Sequence, residues 1–357
     1  MDNKVPTKVA VVGAAGYAGE DLVRLLLSHP HADLVTVTSR QYAGQTVAKV
    51  FPKFSHLPRA RTLRFVDPNI DLLGKQAEVV FLALPHGVAA EFAVPLVQQG
   101  VRVIDLSADF RIRDPKVYEE FYAHPHPAPE LLIDSVYGLA EVYCSAIEKA
   151  KLIACPGCYP TSILLPLLPL LKAGLVDPAQ IIVNSLSGVT GAGRKLEVEY
   201  LFAECNESLR PYGVPKHRHL SEIEQEISIA AGLQVFVQFT PHLVPVNRGI
   251  LTTLCLTPTT FFAGDPSKME TFTRQLTDVY QAAYGASTFV RLLEGKALPD
   301  TKNVVGTNFI EIGWRFDVRT GRLIVMSAID NIVKGTSSQA IQCFNIATNQ
   351  PETSGLI

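Results

Sequence analysis

The sequence predicts an α/β chain of two domains. The first is built on a doubly wound parallel sheet, the second is an α+β domain on a mixed or antiparallel sheet. Three observations carry that prediction. A continuous apolar strand at residues 8–12 runs into a glycine-rich turn and a helix with an apolar face, and the strand–helix alternation then repeats. Near Cys158 the pattern changes to longer strands with alternating character. At 357 residues and 47% hydrophobic content, the chain has enough apolar material for two cores.

The balance of charge narrows the function classes. Net charge is -2 and no basic run occurs, which argues against nucleic acid as a partner. Six unevenly spaced cysteines do not read as a disulfide framework. The start, Met1-Asp2-Asn3-Lys4, is polar, and no later apolar run is long enough to span a bilayer, so a soluble cytoplasmic protein is expected.

In chain order, Lys8-Val9-Ala10-Val11-Val12 reads as a buried parallel strand. Gly13-Ala14-Ala15-Gly16-Tyr17-Ala18-Gly19 follows, then a helix marked by Leu22, Val23, Leu25, Leu26 and Leu27. Strand, glycine loop, helix is the context of a Rossmann-type dinucleotide site, where backbone N–H groups approach a pyrophosphate. The spacing is G-x-x-G-x-x-G, not G-x-G-x-x-G, so the context weighs more than the motif. Gly13, Ala15, Gly16, Tyr17 and Gly19 are the candidate cofactor contacts. The second strand, 34–38, ends at Ser39-Arg40 where an NAD-preferring site would carry an acidic residue; a hydroxyl and a guanidinium suit the 2′-phosphate of NADP. A solvated surface arginine is the plainer alternative.

Residues 43–75 read as loop around a short strand at 62–66. A strand at 79–84 ends at Pro85-His86-Gly87 and a helix runs from 88 to about 99. A strand at 101–106 ends at Ser107-Ala108-Asp109-Phe110-Arg111. Ligands of doubly wound sheets meet the carboxyl ends of strands, so Pro85 and His86 join the candidate cofactor contacts, His86 as a loop residue and not a catalytic one. The proline-rich stretch 114–135 reads as a connecting loop. The last strand of the domain, 152–154, leads into Cys155-Pro156-Gly157-Cys158-Tyr159-Pro160-Thr161.

Cys158 stands on a Pro-Gly turn where a helix opens. Unpaired N–H groups and the helix dipole there favour thiolate, the nucleophilic form. A buried core cysteine is the plainer reading, and the turn position counts against it. Pro160 suits a first helical turn, whereas Pro166 and Pro169 predict a kink or break. The domain boundary falls here: 1–157 form the cofactor domain, completed by the C-terminal helix of 331–357, and 158–330 the catalytic and dimerisation domain, with the thiol at the cleft between them.

Strands are expected at 181–186, 235–240, 250–256, 308–316 and 323–329. Ser187-Gly188-Val189-Thr190-Gly191-Ala192-Gly193-Arg194-Lys195 is a glycine-rich strand exit whose two cations suit an anionic substrate, or are simply solvated. In Lys216-His217-Arg218-His219-Leu220-Ser221-Glu222-Ile223-Glu224, Ser221 and Glu224 form a capping box that starts a helix near Glu222. The helix dipole would keep His217 or His219 neutral and able to act as a base. No third ligand of suitable spacing follows the His-x-His, so no metal is expected. Asp330-Asn331 and Lys334-Gly335 lead into a last helix. A dinucleotide site, a helix-start thiol and a histidine pair combine most economically as thiol-dependent reduction of an activated acyl group.

Pro156-Gly157-Cys158-Tyr159-Pro160-Thr161 resembles the nucleophile signature of the N-acetyl-γ-glutamyl-phosphate reductase family, of aspartate-semialdehyde-dehydrogenase-like architecture. The likeness covers nearly the whole chain and includes the Ser107–Arg111, Ser187–Arg194 and His217-Arg218-His219 stretches and Pro241-His242-Leu243-x-Pro245. It implies NADPH-dependent reduction of N-acetyl-γ-glutamyl phosphate to the semialdehyde in a homodimer or homotetramer. It implies Cys158 as nucleophile and a histidine, His219 in preference to His217, as acid/base. Gly188 and Asn331 are candidate cofactor contacts in the same family reading, and Ser107, Arg111, Arg194 and Tyr212 candidate substrate contacts. A transient contact with the kinase that supplies the labile acyl phosphate is a further expectation.

Two residues depart from the family pattern: Cys155 stands where Asn is usual, and Ser221 where Pro is usual. Cys155 makes a C-x-x-C with Cys158, either a neutral change or a redox latch. Alternatives stay open: a sister reductase of aminoadipyl or aspartyl phosphate, a cysteine hydrolase, or a non-catalytic NADP-binding protein.

Overall fold

The computed structural model describes residues 5–194, 196–260, 262 and 266–357. The chain divides into two compact units. One comprises the residues up to Gly157 together with Thr336–Ile357, the other Cys158–Gly335.

The first unit opens with β1 (Thr7–Val12), whose last four residues are fully buried, as a strand covered on both faces requires. α1 (Tyr17–Leu27) buries Leu22, Val23, Leu25 and Leu26, and β2 (Ala32–Thr38) returns parallel to β1. The stretch 43–75, expected as loop around a short strand, has that strand as β3 (Phe65–Val66) but also carries the short helices α2 (Val47–Val50), α3 (Pro58–Thr62) and α4 (Ile70–Gln76). Side-chain caps build two of these helices. Thr46 Oγ1 accepts the Lys49 N–H at 3.3 Å, and Asn69 Oδ1 accepts the Leu72 N–H at 2.9 Å.

β4 (Val79–Leu82), α5 (Ala89–Gln98) and β5 (Arg102–Asp105) follow. The expected loop 114–135 contains α6 (Pro115–Tyr122), started by Pro115 in its first turn and by Asp114 Oδ1 accepting the Lys116 N–H at 2.8 Å. β6 (Ser135–Tyr137), α7 (Ala140–Ile147) and β7 (Leu152–Ala154) complete the run. The seven strands are all parallel, in the order β3-β2-β1-β4-β5-β7-β6. The order reverses between β1 and β4, the switch point of a doubly wound sheet.

The second unit starts with α8 (Cys158–Lys172) and β8 (Val176–Gly188), then α9 (Phe202–Cys205), β9 (Arg210–Pro211), α10 (His219–Ala231), β10 (Gln238–Val244) and β11 (Ile250–Pro258). α11 (Pro266–Tyr284), β12 (Val290–Leu292), α12 (Thr301–Val304), β13 (Ile310–Asp317) and β14 (Arg322–Ile329) complete it. Its sheet has the order β12-β13-β14-β11-β8-β10-β9. β8–β10 and β12–β13 pair parallel and the other neighbours antiparallel, so the sheet is mixed. The fold class read from the sequence is the one observed.

Two expectations in this unit are corrected. The strand expected at 235–240 begins only at Gln238, because the N–H groups of Val235 and Val237 are taken by side chains of α10, Ser228 Oγ at 2.9 Å and Glu224 Oε1 at 3.1 Å. Pro166 and Pro169 do not break α8, which runs through both and is buried along most of its length. A proline frees the carbonyl four residues earlier. Both freed carbonyls find hydroxyl donors: Ser327 Oγ donates to Ser162 O at 2.6 Å and Tyr284 Oη to Leu165 O at 2.7 Å.

After β14 the chain returns to the first unit as α13 (Ser338–Ala347). This helix packs beside α7 and α1. Gln339 Nε2 donates to Gly138 O at 2.9 Å, and the Phe344 ring lies 5.9 Å from that of Phe81. No helix of the described residues is long and apolar enough to cross a membrane.

Candidate active site

Cys158 is the first residue of α8. The N–H groups of the first turn have no acceptor within the helix, and they present positive potential to the sulfur. The chain is crowded around it. A Cβ on Gly335 would stand 2.7 Å from Cys158 Cβ and 3.2 Å from Asp330 O, so only glycine fits. Cys158 is half-buried and lines a cavity of about 150 Å³ with Tyr159, Ser187, Gly188, Tyr212, His217 and His219.

α10 starts at His219, three residues before the expected Glu222, and has no side-chain capping box. Ser221 Oγ donates to Arg218 O at 2.9 Å instead, so Ser221 sits inside the helix and His219 is its first residue. His217 Nδ1 accepts the His219 N–H at 3.1 Å, which leaves the proton of the neutral ring on Nε2. Burial, with the Arg218 guanidinium adding to it, pushes the His217 imidazole down to about 4. His217 is therefore neutral near pH 7.

Tyr159 joins the parts of this wall. It is buried, and its ring lies 5.4 Å from that of His217 and 5.9 Å from that of His219. Its hydroxyl shares a 2.9 Å hydrogen bond with Tyr212. Burial pushes both phenols well above the ordinary tyrosine range, so both stay protonated. Among the described residues, Arg210 and Arg218 are the arginines of the cavity wall. Arg210 Nη2 donates to Glu199 O at 2.8 Å and stands 3.8 Å from the Glu199 carboxylate.

Gly188 and Asn331 hold the strand exits beside this wall. A Cβ on Gly188 would stand 2.8 Å from the carbonyl oxygens of Val246 and Asn247. Buried Asn331 accepts the Gly249 N–H at 2.8 Å and donates to Thr190 Oγ1 at 3.0 Å. Arg194 is exposed and outside the cavity lining; Lys195 lies outside the described residues.

In the first unit the glycine loop has the geometry a dinucleotide needs. Gly13 has φ +79°, and a Cβ there would stand 2.3 Å from Ala83 O; one on Gly19 would stand 2.5 Å from Gly13 O. Gly16, between Ala15 and Tyr17, is the N-cap of α1 and brings no side-chain acceptor, and the positive end of a helix at a glycine loop suits an anion. Ser39 and Arg40 follow β2; Arg40 is exposed, and among the described residues no side chain pairs with it. These residues fit a dinucleotide. Pro85 and His86 are exposed on the turn after β4, with the His86 ring 5.2 Å from that of Tyr122.

The other two candidates of this unit are engaged internally. Ser107 Oγ donates to Asp105 Oδ2 at 2.7 Å. Arg111 is buried, its Nε donating to Cys155 O at 2.6 Å and its Nη2 to Leu106 O at 2.7 Å. Cys155 is 1% exposed in the apolar core of this unit, and all six cysteines are free thiols. Asp105 is completely buried; burial first, then neighbouring Asp109, raises its carboxyl to about 7.

Sequence reasoning did not single out Tyr159, Arg210, Arg218 or Asp109. Tyr159 and Arg218 each lie next to a residue it did name, and that adjacency was the available signal. Arg210 reaches the cavity only through the pairing of the two-residue β9 with β10, which leaves no pattern in the sequence.

Residues 8–150 match a family model described as semialdehyde dehydrogenase, NAD binding domain, and residues 158–331 one described as semialdehyde dehydrogenase, dimerisation domain. Among solved structures, aspartate semialdehyde dehydrogenase II of Vibrio cholerae, complexed with ASA, superposes with a TM-score of 0.72 at 18% identity, covering 97% of this chain and 99% of that one. Aspartate semialdehyde dehydrogenase with NADP from Candida albicans gives 0.67 at 16% identity, covering 96% and 98%. Fold and domain pair define an oxidoreductase of the semialdehyde dehydrogenase class, with a nicotinamide-dinucleotide-binding domain. The N-acetyl-gamma-glutamyl-phosphate reductase of Akkermansia muciniphila is 54% identical over 350 residues, 98% of each chain, and that of Moorella thermoacetica 47% identical over 349 residues, 98% of this chain and 97% of the other. The chain belongs to the N-acetyl-gamma-glutamyl-phosphate reductase family.

Proposed function

We propose that this chain reduces N-acetyl-γ-glutamyl phosphate to N-acetylglutamate 5-semialdehyde with NADPH, releasing phosphate through a thioester on Cys158. The observation that carries the reading is a thiol at the first position of α8 on the same cavity wall as His217 and His219. His219 takes the thiol proton, and the Cys158 sulfur attacks the acyl carbon. First-turn N–H groups of α8 stabilise the oxyanion. The bond from acyl carbon to phosphate oxygen breaks, and His219 gives its proton to the departing phosphate. A bound reduced nicotinamide supplies the hydride. Cys158 then leaves as thiolate while the aldehyde carbonyl forms.

His217, held down to about 4, is a weak base, and its Nδ1 is already engaged by the start of α10. That favours His219 as the proton carrier and gives His217 a positioning role. Tyr212, Arg210 and Arg218, on the cavity wall, serve the polar and anionic groups of the substrate, with Ser107, Arg111 and Arg194 as the further candidates. Ser39 and Arg40 favour NADP over NAD. A homodimer or homotetramer in the cytoplasm, receiving its labile substrate from the upstream kinase, is the setting that fits this chemistry.

The reverse reaction tests the proposal. N-acetylglutamate semialdehyde, phosphate and NADP are mixed with the protein, and NADPH absorbance is followed. A phosphate-dependent rise is expected, abolished by Cys158→Ser. A folded protein giving no such rise overturns the assignment. Crippling by His217→Asn with His219→Asn left active would reverse the histidine roles.

A further inference from the structure

The turn Pro85-His86-Gly87 after β4 is held from behind by a residue with no assigned role. Asp109 is completely buried. Its Oδ1 accepts the Gly87 N–H at 2.6 Å and the Tyr118 hydroxyl at 2.9 Å, and its Oδ2 accepts the Ala90 N–H at 3.2 Å. α5 begins at Ala89, and its own N-cap, Val88, makes no side-chain cap. A carboxylate about twenty residues downstream thus does what a local Ser or Asp usually does.

The carboxylate is itself fixed. The Asp109 N–H donates to Ser107 Oγ at 3.1 Å, and His126 Nε2 bonds the Asp109 carbonyl. Tyr118 is fully buried and stacks on Tyr122 at 4.7 Å, and Tyr122 in turn packs 5.2 Å from His86. Gly87 takes φ +82°, so this turn has one narrow conformation.

The turn matters because of its neighbour. β4 pairs with β1, and Gly13 packs against the Ala83 carbonyl so closely that a Cβ would overlap it. The exit of β4 and the glycine loop therefore form one surface at the switch point of the sheet. At the start of α5 the Ala90 N–H is taken by Asp109, as is the Gly87 N–H just before the helix, while Gly16, the N-cap of α1, supplies no side-chain acceptor.

We propose that Asp109 is a positioning residue for the dinucleotide: its buried carboxylate bonds the Gly87 and Ala90 N–H groups and so sets the Pro85–Gly87 turn against the glycine loop. This rests on the dinucleotide reading of the first unit.

The test measures NADPH binding to the intact protein by nicotinamide fluorescence, without turnover, alongside cofactor KM and kcat and amide hydrogen exchange. Asp109→Asn keeps the shape but replaces an acceptor by a donor, and should raise Kd for NADPH about tenfold or more, with the kinetic loss in cofactor KM and not in kcat. Tyr118→Phe leaves both N–H bonds in place and should change Kd less than about threefold. In the wild type, the Gly87 and Ala90 amides should be protected before NADPH is added and gain nothing from it, while amides at the start of α1 gain protection. Asp109→Asn binding NADPH as the wild type does overturns the inference and leaves the dinucleotide reading standing. Wild-type Gly87 and Ala90 amides exchanging at open-loop rates overturn it too, whether or not the variant folds. A wild type that does not bind NADPH refutes the underlying reading.

Discussion

Ser327 Oγ donates to the carbonyl of Ser162 at 2.6 Å, and that carbonyl is the one Pro166 deprives of its helical N–H. Ser162 is pinned again by its side chain, which bonds Tyr159 O and Thr252 Oγ1, each at 2.8 Å, and Thr252 continues to Ser185 at 2.8 Å. The mount of the proposed nucleophile is thus a proline-bearing helix completed by hydroxyls from the sheet. Ser327→Ala leaves a buried acceptor unsatisfied and should cost about 1–3 kcal/mol. In a Pro166→Ala background the restored N–H serves the same carbonyl, so the cost of Ser327→Ala should shrink. Denaturant melts of the four proteins of this cycle check it; equal costs in both backgrounds would sink the idea.

Gly335→Ala puts a methyl 2.7 Å from Cys158 Cβ. Gly335 is not in the left-handed region, so the penalty is one of space and not of backbone strain. Either partner must move, and a displacement of that size at a reacting atom costs about a hundredfold in rate. The reverse assay should show such a loss, and alkylation of Cys158 by iodoacetamide should change rate in the same variant. Wild-type values for both would show that the packing here is slack.

The two units respond to pH in opposite directions. In the first, the Asp105 carboxyl stands at about 7 against an ordinary 3.8. The folded state then holds a proton the unfolded chain has lost, so this contribution is present below about pH 4 and disappears as pH rises through about 7, with a ceiling of about 4 kcal/mol. In the second, His217 stands at about 4 against 6.5. The unfolded chain binds the extra proton, so stability is lost as pH falls from about 6.5 to about 4, by at most about 3 kcal/mol. Asp105→Asn should flatten the first slope and His217→Gln the second in Tm measured across pH 4–8. A variant whose slope matches wild type removes its residue from this account.

Most of the first unit was legible in the sequence because its strands are buried on both faces and read as unbroken apolar runs. Its short helices were not, since a one-turn helix such as that at 47–50 rests on a single cap and leaves no period. In the second unit the failures share a cause: a tertiary partner overruled a local signal. Hydroxyls of Ser327 and Tyr284 let α8 pass its prolines, and side chains of Ser228 and Glu224 took the N–H groups that would have begun β10 earlier. At the proposed site, Cys158 and the histidine pair, singled out by residue type and turn chemistry, line one cavity. Arg111, a candidate substrate contact by family resemblance, is buried with its Nε and Nη2 on main-chain carbonyls, an engagement that residue type and position at a strand end do not reveal.

The proposed preference for NADP rests on two residues at the end of β2. Ser39 is half-buried, its N–H donating to Val66 O at 3.1 Å, which fixes the backbone from which the exposed Arg40 side chain projects. A guanidinium there offers a charge-assisted bond to a 2′-phosphate and nothing comparable to a 2′-hydroxyl. Arg40→Ala should therefore weaken NADPH binding about tenfold or more while leaving NADH binding within about twofold. Ser39→Asp places a carboxylate where it would accept a hydrogen bond from the ribose 2′-hydroxyl of NADH and where it would repel a 2′-phosphate, so the ratio of the two Kd values should move further in the same direction. Fluorescence titration of both dinucleotides against wild type and the two variants measures that ratio. Equal losses for NADPH and NADH in Arg40→Ala would show that Arg40 touches a part common to both cofactors and would remove the ground for the proposed NADP preference.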